Sequence, residues 1–321
     1  MRGDFLPLNF TKNCNKFLLS HTNGLKIYIK MKKLLSVFLI ATAVFANAQD
    51  SKETANRFFY ELNFKPKKDS AKIDKVITIL DITKEKSIYQ DYTMFAQDSI
   101  IKKEVEEMQK AGTWKDLSKL IKWPKFTYKI FKTYPNMEER YVDRISRNLF
   151  SYNENIKLAW KILPEKQKIS IYNTQKATIE YGGRTWIAWF TTELPFQDGP
   201  YKFYGLPGLI VKIEDLEKNY SWTLSGNRVI ENYDELSYAD KINAQMGMMN
   251  NNITPTTKEK FQKSYNSYKA DPFAETRQYM TAENMSRPMP GTDGTIGDFM
   301  KKMEKQVKTF FESNDNPIEI E

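Results

Sequence analysis

The chain has 321 residues, with 49 Lys and Arg against 40 Asp and Glu for a formal charge of +9, and it holds a single Cys and a single His. Both of those residues, Cys14 and His21, lie within the first 48 positions. If that stretch is removed, the rest can form neither a disulfide, nor a zinc site of the usual nitrogen and sulfur ligands, nor a Ser-His-Asp or Cys-His relay.

The N-terminus has the parts of a secretory signal. Met31-Lys32-Lys33 precedes the apolar run Leu34 to Phe45 and then Ala46-Asn47-Ala48, an A-x-A cleavage site. The run falls short of the roughly 20 residues that span a bilayer. Residues 31–48 are therefore expected to be a signal peptide, and residues 1–30 an upstream extension from an early start. Removing seven basic residues and one acidic residue leaves a charge of +3. That charge gives no concentrated basic footprint for nucleic acid. General acid-base chemistry would fall to Asp, Glu, Lys or Tyr, and spacing singles out no pair, so the sequence disfavours an enzyme.

From residue 49 to 234 the pattern is mostly that of strands. Lys75 to Ile82 and Ser87 to Tyr92, joined by Thr83-Lys-Glu-Lys86, predict a hairpin. Ile101, Val105 and Met108 share a helical face that Gly112 would cap. Trp114, Leu117 and Ile121 predict a second short helix after a capping box at Thr113 to Asp116. Phe126, Tyr128 and Ile130 alternate with polar residues. So do Ile156, Leu158, Trp160 and Ile162, until Pro164 stops the run. Tyr181-Gly182-Gly183-Arg184 reads as a tight turn into "TWIAWFT", a strand expected to be covered on both faces. In "GPYKFYGLPGLIVKI", Leu206-Pro207-Gly208-Leu209 fits a type II turn, and no helix follows to make a phosphate site.

Residues 175 to 215 resemble the GLPGLI family of exported proteins from diderm bacteria. The likeness rests on Gly205-Leu206-Pro207-Gly208-Leu209-Ile210. It also rests on Lys176-Ala177, Gly183-Arg184, Ala188-Trp189, Glu193-Leu194-Pro195 and Gly199-Pro200. Weaker likeness extends from about residue 75 to 225. The resemblance implies an exported, β-rich protein and assigns no catalytic residue. Thr174 stands where many members carry a cysteine, which removes a thiol role.

Residues 235–321 change to helical periodicity. Thr256-x-x-Glu259 caps a pattern carrying Phe261, Tyr265 and Tyr268. "TAENMSRPMPGTDGT" reads as a flexible loop. Thr295-x-x-Asp298 then opens an amphipathic helix with Phe299, Met303, Val307, Phe310 and Phe311 on one face. This helix is expected to pack on the sheet, the alternative being a membrane-surface helix. The fold class is thus α+β: mainly an antiparallel β-meander forming a curved sheet, with short inserted helices and a C-terminal helical region.

Three functions compete. The first is a non-catalytic envelope or secreted protein that binds a partner protein or an apolar ligand, with no cofactor, no nucleic acid and no transmembrane helix in the mature chain. The second is a Cu(I) binder using the thioethers of Met246, Met248 and Met249, against the simpler account that methionine fills gaps between helices. The third is a carboxylate hydrolase using Glu193 and Asp198 with Arg184 as an anion clamp, where exposed rim charges explain the same residues.

Overall fold

The computed structural model describes residues 53–113, 115, 117, 120–245, 252–289 and 293–320. The expected signal segment, Cys14, His21 and the Met246, Met248 and Met249 cluster lie outside these residues. Among the described residues the strands are β1 (Ala55–Phe64), β2 (Asp74–Ile82), β3 (Lys86–Asp91), β4 (Lys129–Thr133), β5 (Glu138–Ile145) and β6 (Asn148–Glu154). They continue with β7 (Lys161–Ile169), β8 (Tyr172–Tyr181), β9 (Arg184–Thr191), β10 (Leu209–Asp215), β11 (Tyr220–Ile230) and β12 (Ile253–Pro255). All twelve join one sheet in the order β12-β6-β5-β4-β3-β2-β1-β11-β10-β9-β8-β7. Every pairing is antiparallel except the short parallel contact of β12 with β6. The chain therefore builds one arm outward from β1 as far as β6 and the other arm inward from β7 to β11.

The sheet is curved, and ring contacts across it show how strongly. Phe203 meets Trp186 of β9 at 4.8 Å, and its neighbour Tyr201 meets Tyr128, just before β4, at 5.8 Å. In a flat sheet β4 and β9, six positions apart, would stand about 29 Å from each other. The concave face is filled by the alternate residues Phe58, Tyr60, Leu62 and Phe64 of β1 together with Leu80, Tyr89, Ile130, Trp186, Phe190 and Trp222. On the opposite face of β1, Arg57 holds Asp81 through two bonds of 2.6 and 2.7 Å, and its guanidinium lies 4.9 Å from the Phe95 ring. Phe95 belongs to α1 (Thr93–Ala96), which leads into α2 (Asp98–Ala111) and later meets α3 (Tyr238–Gln245) over that face.

The remaining helices are α4 (Lys258–Ala270), α5 (Ala282–Ser286) and α6 (Ile296–Ser313). Phe261 of α4 packs on Tyr141 and Tyr152 of β5 and β6. Phe311 of α6 meets Tyr265 and Tyr268 of α4, so α6 leans on another helix. Only Gly297 of its 18 residues is buried. None of the helices among the described residues is long and apolar enough to cross a membrane.

Several local expectations are corrected. Residues 155–160 are not a strand; they cross from β6 near one edge to β7 at the other. Their alternation places Leu158 and Trp160 against the core, and Trp160 donates to the Tyr204 carbonyl at 2.7 Å. Pro164 does not end β7, because the register shift between Ile162 and Lys166 removes the need for its missing amide. No helix forms over 120–124; the described part of that stretch is one turn at Leu117, with Trp114 and Asp116 outside the described residues. Thr257, one residue later than expected, caps α4 by accepting from the Lys260 amide. "TAENMS" forms α5, capped by Thr281, where a loop was expected. The strand "TWIAWFT" is buried on one face only, since Ile187 and Trp189 are half-buried.

Candidate functional site

The loop between β9 and β10, residues 192–208, enters the concavity and carries the hexapeptide. Leu206, Leu209 and Ile210 are fully buried, and Tyr60 donates its hydroxyl to the Ile210 carbonyl at 2.7 Å. The expected type II turn is absent. Leu206 O accepts from the Gly208 amide at 2.7 Å across Pro207, a three-residue turn, while the Leu209 amide is drawn to Leu194 O at 3.1 Å. Gly208 passes so close to β9 that a Cβ there would lie 2.0 Å from Thr191 O. The Ile210 amide bonds Asp198 O, so the hexapeptide fixes the strand-ward end of a buried polar chain.

That chain starts at Asp198. It forms a buried ion pair with Lys132 of β4 and accepts from the Tyr134 hydroxyl at 2.8 Å, while Lys132 also donates to Gly199 O. Opposite Lys132 in the register is Glu139, and opposite Glu139 is Glu154. Lys202, from the same β9–β10 loop, which plugs the concavity (the plug loop), pairs with Glu154 and with Glu319 at 2.6 Å, and its ammonium lies 5.5 to 5.8 Å from the rings of Tyr141, Tyr152 and Tyr201. Lys258, at the first position of α4, meets Glu154 at 2.6 Å and Glu319 at 3.0 Å.

The charges balance only if one carboxyl is neutral. Asp198, Glu154 and Glu319 face Lys132, Lys202 and Lys258, which leaves Glu139 over. Glu139 is 2% exposed, and neither of its oxygens reaches a hydrogen-bond partner within the protein. Burial pushes its pKa up to about 8, with Lys132 and Lys202 opposing and Glu154 and Glu319 reinforcing the shift. Burial also works against the charge on Glu319, but Lys202, Tyr201 and Lys258 overcome it and hold the carboxyl at about 2. Lys258 is raised by the same two glutamates, against its partial burial.

The outer side of this network opens on a cleft of about 510 Å³. β12 pairs with β6 through Pro255 and Ser151, and the Thr256 amide donates to Ser151 O at 2.7 Å, which sets α4 beside the end of β6. Ser151, Asn153, Glu154, Thr256, Thr257 and Lys258 line the cleft, a wall of hydroxyls, amides and one ion pair. Glu139 does not line it. Among the described residues no cluster of three or more His, Cys, Asp or Glu could hold a metal ion.

The residues singled out by sequence fall mainly on the framework. Ala177 faces Ala188 across β8 and β9, and Lys176 lies 6.0 Å from the ring of Trp189. Gly182 and Gly183 take positive φ in the β8–β9 turn, as a two-residue hairpin loop demands. Gly199 packs directly on Ile210, beside Pro200. Gly205 donates its amide to Gln197 O. The picture of Arg184, Glu193 and Asp198 as charges on a common rim is corrected. Arg184 and Asp198 are buried and committed to separate partners, Asp215 and Lys132, because each offsets a charge inside the fold. Glu193 is exposed and accepts from the Asn173 amide.

Residues 181–212 match the family model described as "Protein of unknown function (Porph_ging)". Residues 181–212, which contain the hexapeptide, are thus similar to the GLPGLI-type family. Among solved structures the chain is similar to PNGF-II in its C2 and P21 crystal forms, at 17% identity and a TM-score of 0.45 for both. The likeness covers 68% of this chain but only 33% and 34% of the PNGF-II chains, so it spans about a third of their length. No curated protein matches. The GLPGLI segment itself supplies Asp198 and Lys202, whereas Glu139, Glu154, Lys258 and Glu319 lie outside the matched residues. Lys132 is marked in the sequence only as a charge that continues the alternation of Phe126, Tyr128 and Ile130, and nothing local marked Glu139 or Glu319.

Proposed function

We propose that this protein is exported, has no catalytic activity, and binds a polar partner in the cell envelope at the cleft between β6 and the start of α4. One observation carries this reading: the concavity that an apolar ligand would occupy is already filled by the chain's own Tyr201, Phe203, Leu206 and Leu209. Recognition is then left to the surface, where the cleft offers convergent hydrogen-bonding groups on rigid elements. Hydrolysis by Glu193 and Asp198 would require both to face one substrate, and the burial of Asp198 in its pair with Lys132, with Glu193 exposed, speaks against it. Methionine as a filler of gaps is supported by Met285, which packs on Gly297 at the start of α6.

The exported form contains no cysteine, so a single Thr256→Cys substitution places a thiol cross-linker at the cleft alone. We expect this variant to capture an envelope protein that the same probe does not capture from Ile171→Cys, an exposed position on the β7–β8 turn. Equal capture from both positions would overturn the cleft reading. Fluorescent fatty-acid probes should not bind, and saturable binding would restore the apolar-carrier function. Peptide mapping of envelope fractions should begin at Gln49; recovery of peptides from residues 1–48 would refute export by cleavage.

A further inference from the structure

Beyond α6 the chain runs back across the curved sheet as an extended segment. Asn316 and Ile318 are buried and Asp315 and Pro317 exposed; at the bend of Ile318 this alternation ends, with Glu319 turned inward and Ile320 exposed. Its backbone is read by the body of the protein. Pro66 O accepts from the Asp315 and Asn316 amides, Gly182 O accepts from the Ile320 amide, and Tyr220 donates its hydroxyl to Asn316 O. Arg184 donates to Ile318 O at 2.9 Å, and to Pro317 O and Asn316 Oδ1 at 2.8 Å each. Glu319 enters a pocket made for one carboxylate: Tyr181, Tyr201 and Lys202 reach Oε1 at 3.0, 2.5 and 2.6 Å, and Lys258 reaches Oε2 at 3.0 Å. At the turn, a Cβ on Gly182 would stand 2.9 Å from Glu319 Cγ, so the turn fits the segment closely.

We propose that this groove is a binding site for an extended peptide segment bearing one carboxylate, occupied here by the chain's own residues 315–320 and able to take such a segment from a partner protein. Main-chain bonds for affinity and pockets for alternate side chains for specificity are the features of strand-type peptide recognition. The tether meets α4 through Phe311 but is otherwise mostly exposed. α6 buries only Gly297, and its Phe299 and Phe310 are 37% and 38% exposed. Most of the grip on the segment is therefore local to the groove, and the covalent link through α6 holds the segment beside it. The groove shares Lys258 with the cleft but does not depend on what the cleft binds.

The test uses the full chain with a protease site inserted between Ser313 and Asn314, folded intact and then cut. A fluorescent peptide of residues 314–321 should displace the cut segment and bind saturably. The peptide carrying Glu319→Gln should bind at least tenfold more weakly, and the uncut protein should bind either peptide far less. Near-UV circular dichroism of the buried Trp186 and Trp222 reports whether the body stays folded after release. A body that loses this signal would overturn the proposal, because the segment would then be part of the folding core. So would a folded body that takes up no peptide, or one that binds both peptides equally. Uncut chains that exchange segments to form dimers would support it, with a second copy as the donor.

Discussion

Glu139 keeps its proton at neutral pH because it lies in the sheet interior with no donor in reach, beside two other glutamates. The sign of its effect on stability follows. From the ordinary value of 4.5 up to about 8 the unfolded chain gives up this proton while the folded chain holds it. Its contribution is thus complete below pH 4.5 and is lost as pH rises through 8, by at most about 5 kcal/mol. Glu319 acts in the opposite sense: held at about 2, it contributes fully above 4.5 and loses that contribution as pH falls through 2. Glu139→Gln should melt like the wild type near pH 5 and at a higher temperature at pH 8. Parallel melting curves from pH 5 to 8 would show that the carboxyl is ionised throughout.

Lys132 is the clearest case of a buried charge that cannot lose its partner. Lys132→Met leaves Asp198 fully buried without its cation and should destabilise the protein by about 3 to 5 kcal/mol, measured by urea unfolding. Gly208→Ala, with its Cβ driven into the Thr191 carbonyl, should give little folded protein. Normal expression and melting of that variant would mean that the hexapeptide turn is loose.

At the scale of elements, the start of α4 joins the helical region to the sheet. Thr257 satisfies the Lys260 amide, and this cap holds Lys258 over Glu154 and Glu319. Thr257→Ala should cost about 1 kcal/mol. It should also speed hydrogen exchange at the first turn of α4 and at residues 316–320 together; a change confined to the helix would show that the two are uncoupled. Helix existence was legible in α2 and in α6, whose Thr295–Asp298 capping box is formed, but the same signals from Thr113 to Ile121 give no helix over 120–124. The start of β7 was not legible in residues 156–160. There an alternating pattern serves packing against the plug loop, which local periodicity cannot distinguish from strand pairing.

At the scale of the whole molecule, Glu319 does what no single strand does. It bonds Tyr181 of β8 and shares Lys202 and Lys258 with Glu154 of β6. Those strands are nine positions apart, about 43 Å in a flat sheet. The curl of the sheet, the plug inside it and the C-terminal segment across it therefore depend on one another. Leu206→Ala, which hollows the centre of the plug, should destabilise by about 2 to 5 kcal/mol in thermal melts. A change under 1 kcal/mol would mean that the plug is dispensable to the core.

The sequence by itself determined the β-rich class, the β2–β3 and β8–β9 hairpins, the GLPGLI likeness and the character of the hexapeptide as backbone geometry. Each of these rests on period, turn chemistry or residues within about ten positions of one another. Only the tertiary structure decided that the hexapeptide loop turns inward to fill the sheet. The same is true of the network in which Lys132, Glu139, Lys202, Lys258 and Glu319 share one set of charges, and of the closure made by the C-terminal segment. Those residues come from positions as far apart as Lys132 and Glu319, and a charged residue looks the same in a sequence whether water or a buried partner answers it.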